Sequence, residues 1–178
     1  MTTAYDVAQY MASKKQFSGE AQMHKLLYYV QAWSLAWDGE PMFDEAIEAW
    51  QMGPVVPSMR HIAPPPNPDV SLSDQERSNI DAVLDYYGHL WGKQLIDLTH
   101  QEAPWKEAWG DRAEDDCGSD LISHETMRRT YSAQSIAGQG PHRKVVRTGR
   151  KVADVSDVLL RSSIASKRWD RTLALLAQ

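Results

Sequence analysis

The sequence predicts a mainly α-helical protein, a single compact helical domain followed by a helical C-terminal extension. Two observations support this prediction. Apolar residues recur at intervals of three and four along several stretches, the spacing that buries one face of a helix. Serine or threonine stands three residues before a carboxylate where two of these stretches begin, a pattern typical of helix N-termini. The chain has 178 residues, enough for one sizeable core.

Two helices are predicted near the N-terminus. Thr3 and Asp6 form a capping-box pattern ahead of a short helix near residues 4–14. A longer helix begins at Ala21, and its apolar positions step by three and four until Gly39 ends it. This spacing is typical of a helix that buries one stripe of its surface.

The middle of the chain is predicted to alternate between connectors and a helix. Residues 53–57 contain glycine and two prolines, which favour a rigid, irregular connector. The proline-rich residues 63–69 predict an exposed loop. Ser73 and Glu76 form a second capping box, and the helical repeat that follows reaches Trp91.

Two short helices are predicted further along. Pro104 suits the first turn of a helix that carries two tryptophans. The acidic residues 110–120 are typical of a loop, and Ser123 then caps a helix that ends near Tyr131.

The charge distribution divides the chain. Residues 1–140 carry 10 basic and 21 acidic residues, a net charge of −11, whereas residues 141–178 carry 9 and 3, a net charge of +6. We therefore predict a helical domain over residues 1–133, a basic linker over 134–151 and a helical extension over 152–178. The extension either folds back onto its own acidic domain or awaits an acidic partner, and both alternatives remain open.

The sequence also predicts the cellular compartment. Its single cysteine, Cys117, cannot form an intrachain disulfide, which favours a reducing environment. The N-terminal stretch MTTAYDVAQY lacks the basic start and apolar core of a signal peptide, and no apolar run approaches the roughly 20 residues that span a bilayer. We expect a cytoplasmic protein without a membrane partner.

Catalytic, metal and cofactor sites are not predicted. His100 and Glu102 suggest acid–base chemistry, but residues two apart on a helix do not share a face, and no nucleophile motif accompanies them. The histidines form no HExxH motif, and the Gly53–Pro54 pair lacks the Lys-Ser of a phosphate-binding loop. We favour structural roles for His100 and Glu102.

Aromatic residues are expected to build the core. Tyr29, Trp33 and Trp37 recur every four residues, which favours a buried stripe over a surface that stacks bases or receives a partner. We expect four other tryptophans to pack around this stripe: Trp50, Trp91, Trp105 and Trp109.

Six residues of the C-terminal part are the candidates for contact with a partner. Its basic side chains could contact acidic groups or phosphates, and its apolar side chains could enter a groove. Tryptophan and arginine are favoured interface anchors. The candidates are Arg143, Arg147, Arg150, Trp169, Leu173 and Leu176.

Three segments resemble the Panacea domain, the SocA-like family. They are MHKLLYYVQAWSLA (23–36), IEAWQMGPVVPS (47–58) and LTHQEAPW (98–105), and they occur in the family's order within a pattern spanning roughly 5–131. His24 departs from the polar residues usual at its position. The principal matching residues are Leu26, Leu27, Tyr28, Tyr29, Gln31, Trp33, Trp50, Gly53, Pro54, Thr99, His100, Pro104 and Trp105.

The resemblance implies an antitoxin that neutralises a toxin encoded by the adjacent gene, many such toxins being inhibitors of translation or growth. A second branch of the family resembles a proteolytic adaptor that delivers its toxin to a cytosolic protease. An enzyme using His100 and Glu102 is a further alternative. Homo-oligomerisation stays open, and the acidic domain disfavours a nucleic acid as the partner.

Overall fold

The computed structural model describes residues 2–113 and 115–144. These residues belong to one compact unit with six α-helices and one three-stranded sheet, which confirms the mainly α prediction. The helices are α1 (Ala4–Lys14), α2 (Glu20–Asp38), α3 (Asp74–Tyr87), α4 (Gly92–Thr99), α5 (Ala103–Trp109) and α6 (His124–Ile136), with a 3-10 turn at Pro57–Met59. The strands are β1 (Glu48–Trp50), β2 (Gly53–Val55) and β3 (Asp120–Leu121).

The two predicted capping boxes are present. At α1 the backbone N–H of Asp6 donates to the Thr3 hydroxyl over 3.1 Å, and the Asp6 carboxylate accepts from the Thr3 N–H over 3.0 Å. Ser73 and Glu76 make the same reciprocal pair at α3. Each box satisfies N–H groups that lack partners in the first turn of a helix, so both starts are fixed locally.

Helix α2 is the centre of the described domain. Every residue from Gln22 to Leu35 is buried, because the other helices and the sheet surround it. It ends at Gly39, whose φ of +77° is the left-handed conformation typical of a helix C-terminus. A helix buried on all sides can position groups on several neighbouring elements at once.

The sheet replaces the irregular connector that we predicted over residues 53–57. β1 pairs antiparallel with β2, with Trp50 opposite Gly53, and with β3 on its other side, with Glu48 opposite Leu121. The prediction was wrong because strands of two or three residues are too short to show the alternation that identifies a strand.

Two helix ends differ from the prediction. Helix α3 stops at Tyr87, and Trp91 instead caps α4, where its N–H donates to the Gln94 side chain. Trp91 is 69% exposed, so the expectation that it packs around the aromatic stripe is wrong. Helix α6 continues to Ile136, five residues beyond the predicted end, and none of these added residues is buried.

The described chain after α6 lies against α2 and α3. Arg143 pairs with the Asp38 carboxylate and donates to the Trp37 carbonyl over 3.1 Å. The Ser78 hydroxyl donates to the Lys144 carbonyl over 2.7 Å. The predicted helical extension lies outside the described residues. None of the helices in the described ranges is long and apolar enough to cross a membrane.

Candidate partner-binding surface

The resembling residues on α2 lie at the innermost level of the core. A helix at a protein surface normally turns its polar side chains towards solvent. On α2 even Gln31, a polar member of the motif, is buried. Six motif residues are fully buried: Leu26, Leu27, Tyr28, Tyr29, Gln31 and Trp33.

Gln31 fixes the loop that leads from α2 to the sheet. Its side-chain oxygen accepts the N–H groups of Met42 (2.8 Å) and Phe43 (3.2 Å), and its amide nitrogen donates to the Phe43 carbonyl (2.9 Å). The same nitrogen lies 3.2 Å from Nε2 of His124 at the start of α6. The buried Gln31 side chain thus provides the loop backbone with hydrogen bonds that a helix or sheet would otherwise supply.

A cluster of tyrosines surrounds the carboxylate of Glu102. Tyr131 and Tyr29 donate to Oε2 of Glu102 over 2.6 Å and 3.3 Å. The hydroxyl of Tyr28 lies 3.1 Å from that of Tyr131, and the ring of Tyr29 stacks on Tyr87 with centroids 3.9 Å apart. Burial raises the pKa of Glu102 to about 7. The carboxylate therefore serves as an internal acceptor that joins α2, α5 and α6.

His100 lies in an aromatic stack. Its ring stacks on that of Trp105, with centroids 4.0 Å apart and an angle of 25° between the ring planes, and Trp105 stacks on Trp109 with centroids 5.0 Å apart. The indole N–H of Trp105 donates to the Trp50 carbonyl over 3.0 Å, and Pro104 occupies the first turn of α5. This stack joins the second and third resembling segments to each other.

Gly53 brings the hairpin against α2 and α4. Its φ is +86°, and a Cβ there would lie 2.8 Å from Cε of Lys25 and 2.9 Å from Oγ1 of Thr99. Lys25 is 1% exposed, and burial lowers its pKa to about 7. Glycine is required at this position by both backbone conformation and space. Pro54, beside it on β2, is buried.

The outer side of the sheet carries apolar side chains in solvent. Side chains directly opposite on paired strands share a face, so Glu48 and Leu121 lie on one side, and Trp50 joins them two residues along β1. Leu121 is 66% exposed and Met52, in the hairpin turn, 58%. Arg60 lies over the Trp50 ring at 5.1 Å. We call Glu48, Trp50, Met52, Arg60 and Leu121 the sheet face.

A groove lies on another side of the domain, between the end of α1, the start of α2 and the proline-rich loop. Its volume is about 640 Å³, and Phe17, Met23 and Ile62 are among its apolar walls. Two of its lining residues are joined by a hydrogen bond, in which the Glu20 carboxylate accepts the His61 N–H over 2.8 Å. The groove therefore suits apolar side chains.

The tail candidates divide between described and undescribed residues. The Arg143 side chain contacts Asp38 and Trp37 and retains some exposure. The remaining five, Arg147, Arg150, Trp169, Leu173 and Leu176, lie outside the described residues. Within the described ranges, no three histidine, cysteine, aspartate or glutamate side chains are grouped so that they could hold a metal ion.

The comparison with known families identifies the central region. Residues 23–106 match the model of a family described as antitoxin SocA-like, Panacea domain. These residues, slightly less than half of the chain, are similar to a Panacea domain. No curated protein and no solved structure matches the chain. The match is shorter than the expected span of 5–131, although it contains all three resembling segments.

The core of the matched region includes elements on both sides of the match. Helix α1 and helix α6 lie outside residues 23–106, yet Val7, Met11, Met127 and Tyr131 belong to the buried core. Sequence reasoning missed the sheet face because β3 has only two residues, too few to show the alternation that identifies a strand. It also missed Lys25, since lysine on a predicted helix is ordinarily solvated.

Proposed function

We propose that this protein is an antitoxin that neutralises, in the cytoplasm, a growth- or translation-inhibiting toxin by direct protein–protein contact. The match of residues 23–106 to a family of SocA-like antitoxins carries this proposal. Neutralisation by contact is stoichiometric, since each antitoxin occupies a surface that the toxin needs for its own activity. The toxin is the product of the adjacent gene.

The geometry of the Panacea domain supports a scaffold role. Its motif residues on α2 are buried, and Gln31 and Glu102 use their polar atoms to join neighbouring elements. The carboxylate of Glu102 in particular receives hydrogen bonds from tyrosines of the core, which favours the structural role over acid–base chemistry. Binding then falls to the surface.

The C-terminal candidates supply specificity in this proposal. Arg147 and Arg150 would meet acidic groups of the toxin, and Trp169, Leu173 and Leu176 would fill an apolar groove. Charged side chains at the margin of an interface mainly accelerate association and exclude wrong partners. A scaffold with a variable extension would let one domain serve different toxins.

Co-expression with the product of the adjacent gene tests the proposal. The measurements are growth and co-purification, in cells that lack the common cytosolic proteases. Rescue of growth with a stable complex is the expected result. Rescue only in cells that retain the proteases would instead support the adaptor alternative, and no rescue in either strain would refute both.

Charge reversal tests the extension in the full chain. We expect Arg147→Glu with Arg150→Glu to weaken rescue, because the variant replaces cations with anions at the proposed contact. The matched control is Lys106→Glu with Arg128→Glu, two exposed cations of the domain. Equal rescue by the two double variants would remove the extension from the interface.

A further inference from the structure

The sheet face is an exposed apolar surface on a rigid support. Met52 and Leu121 are among the most exposed large apolar side chains of the described residues. Trp50 lies near both in the sheet, and its indole N–H donates to Glu48, opposite Leu121, over 2.8 Å. Beneath them, Ala49 on β1 is buried and Trp105 binds the Trp50 carbonyl. Exposed apolar groups grouped in this way indicate a contact surface, whereas single ones are ordinary.

An acidic margin borders this face. Asp111, Asp115 and Asp116 precede β3, and Glu48 stands on the sheet itself. This segment passes close to β1, since a Cβ at Gly118 would lie 2.8 Å from the Ala49 carbonyl oxygen. Arg112 is paired with Asp120, so it does not neutralise the other carboxylates. The margin therefore attracts cations.

We propose that the sheet face is the docking site of the toxin, and that the toxin presents there an apolar centre edged with lysine and arginine. This inference rests on the proposed antitoxin function and names the surface that performs it. An apolar centre with a charged margin is the usual arrangement of a specific interface. The Trp50–Arg60 pair supplies two residue types that are enriched among the strongest interface anchors.

The short strand β3 adds a second reason. It is an edge strand of the sheet, in the order β2-β1-β3, so one side of it meets no further strand among the described residues. Only two residues long, it offers little backbone for pairing with a partner strand. Side chains rather than added strands should therefore dominate binding, which makes Leu121 the decisive position.

Substitution of Leu121 gives the sharpest test. Leu121→Arg removes the apolar side chain and places a cation before a basic partner, so binding to the co-expressed toxin should weaken by about 30-fold or more. Leu121→Glu should weaken it less, because the new anion faces cations. The control is Ile136→Arg, which introduces the same charge and should leave binding unchanged, because Ile136 is 89% exposed on α6 and lies outside the sheet. Ile62→Arg tests the groove as the competing site.

The charge of the margin is tested separately. Asp111→Lys with Asp115→Lys should slow association and reduce its dependence on salt. Asp69→Lys with Asp85→Lys makes the same change in net charge on exposed residues away from the sheet, and should leave association near the wild-type rate. Unfolding midpoints of all variants show whether each one remains folded.

Cys117 provides a readout on the wild-type chain. It is exposed, lies four residues before Leu121, and is the single cysteine. Toxin docked on the sheet face should slow its alkylation by a maleimide, followed by the mass of the intact antitoxin chain. The reaction of the unfolded chain supplies the reference rate.

The outcomes separate the two levels of the argument. If wild-type protein neither rescues growth nor binds the toxin, the antitoxin proposal fails, and this inference fails with it. If it rescues and binds, but Leu121→Arg binds as well as Ile136→Arg and Cys117 stays reactive, only the sheet face is refuted. Selective loss with Ile62→Arg would move the site to the groove. Self-association that Leu121→Arg abolishes, without effect on the toxin, would assign the face to a second copy and overturn the inference.

Discussion

The hydroxyl of Tyr131 donates a 2.6 Å hydrogen bond to the carboxylate of Glu102. Tyr131 is a buried residue of α6, and Glu102 immediately precedes α5. The bond therefore connects a helix outside the family match to a residue within its third resembling segment. Because burial raises the pKa of Glu102 to about 7, this contact is sensitive to pH near neutrality.

Glu102→Gln should change how stability depends on pH. The folded protein retains the Glu102 proton to about pH 7, whereas the ordinary value is 4.5, so the unfolding free energy falls as the pH rises between these values. Glutamine stays neutral and still accepts from Tyr131. At pH 8 we expect the unfolding free energy of the variant to exceed that of the wild type by on the order of 2 kcal/mol. Urea unfolding at pH 5 and pH 8 measures this, with exposed Glu40→Gln as control. If the unfolding free energies of the wild type and Glu102→Gln changed equally between pH 5 and pH 8, the prediction would be contradicted.

Lys25→Met should stabilise the protein at neutral pH. Burial lowers the pKa of Lys25 from 10.5 to about 7, so the unfolded chain binds the proton more tightly and the unfolding free energy rises between those pH values. Methionine fills similar space without a charge. We expect a gain on the order of 2 kcal/mol at pH 7 that shrinks towards pH 10. Chemical unfolding at both pH values tests it, and a destabilised variant at pH 7 would show that the amine makes a favourable contact.

Gly53→Ala should be far more disruptive than Gly39→Ala. Both glycines have positive φ values, +86° and +77°, but only Gly53 has side-chain atoms within 3 Å of the position of an added Cβ. The shared conformational cost is about 1 kcal/mol, and the clash with Lys25 and Thr99 should add roughly 1–3 kcal/mol. Thermal and urea unfolding of the pair isolate that difference. If the two variants lost equal unfolding free energy, the hairpin would have moved to accommodate the added methyl group without cost.

Gln31→Leu should loosen the loop after α2. The substitution removes both acceptor and donor, and leaves the N–H groups of Met42 and Phe43 without their side-chain partner. Buried unpaired groups cost about 1–3 kcal/mol each, so we expect a loss on the order of 3 kcal/mol. Amide hydrogen exchange at residues 42 and 43 should accelerate selectively. Exposed Gln101→Leu is the control, and unchanged protection in Gln31→Leu would contradict the role assigned to Gln31.

Local patterns were sufficient for the starts of α1 and α3 and for the end of α2. The Thr3–Asp6 and Ser73–Glu76 boxes predict helix starts because their hydrogen bonds involve only neighbouring residues. Gly39 likewise predicts the end of α2, since its left-handed conformation is a property of glycine itself. The three segments that resemble the Panacea domain were not needed for these predictions, which follow from spacing and capping alone.

The candidate surface was not predictable in the same way. Leu121 becomes part of a face only because β3 pairs with β1, where its partner Glu48 lies 73 positions earlier in the chain, and strands this short leave no repeat in the sequence. Trp91 illustrates the converse, because its position continues an apolar repeat and yet the backbone turns at Gly88 and exposes it. Exposure depends on neighbours that are distant in sequence.

The sequence by itself determined the mainly α fold, the starts of the principal helices and the Panacea resemblance, because these depend on residue type and short spacing. Only the tertiary structure decided that Glu102 accepts from Tyr131, that Lys25 is enclosed by the hairpin, and that Leu121 faces solvent. The physical reason is that burial and its effect on charge arise from contacts between segments far apart along the chain, which no local pattern encodes.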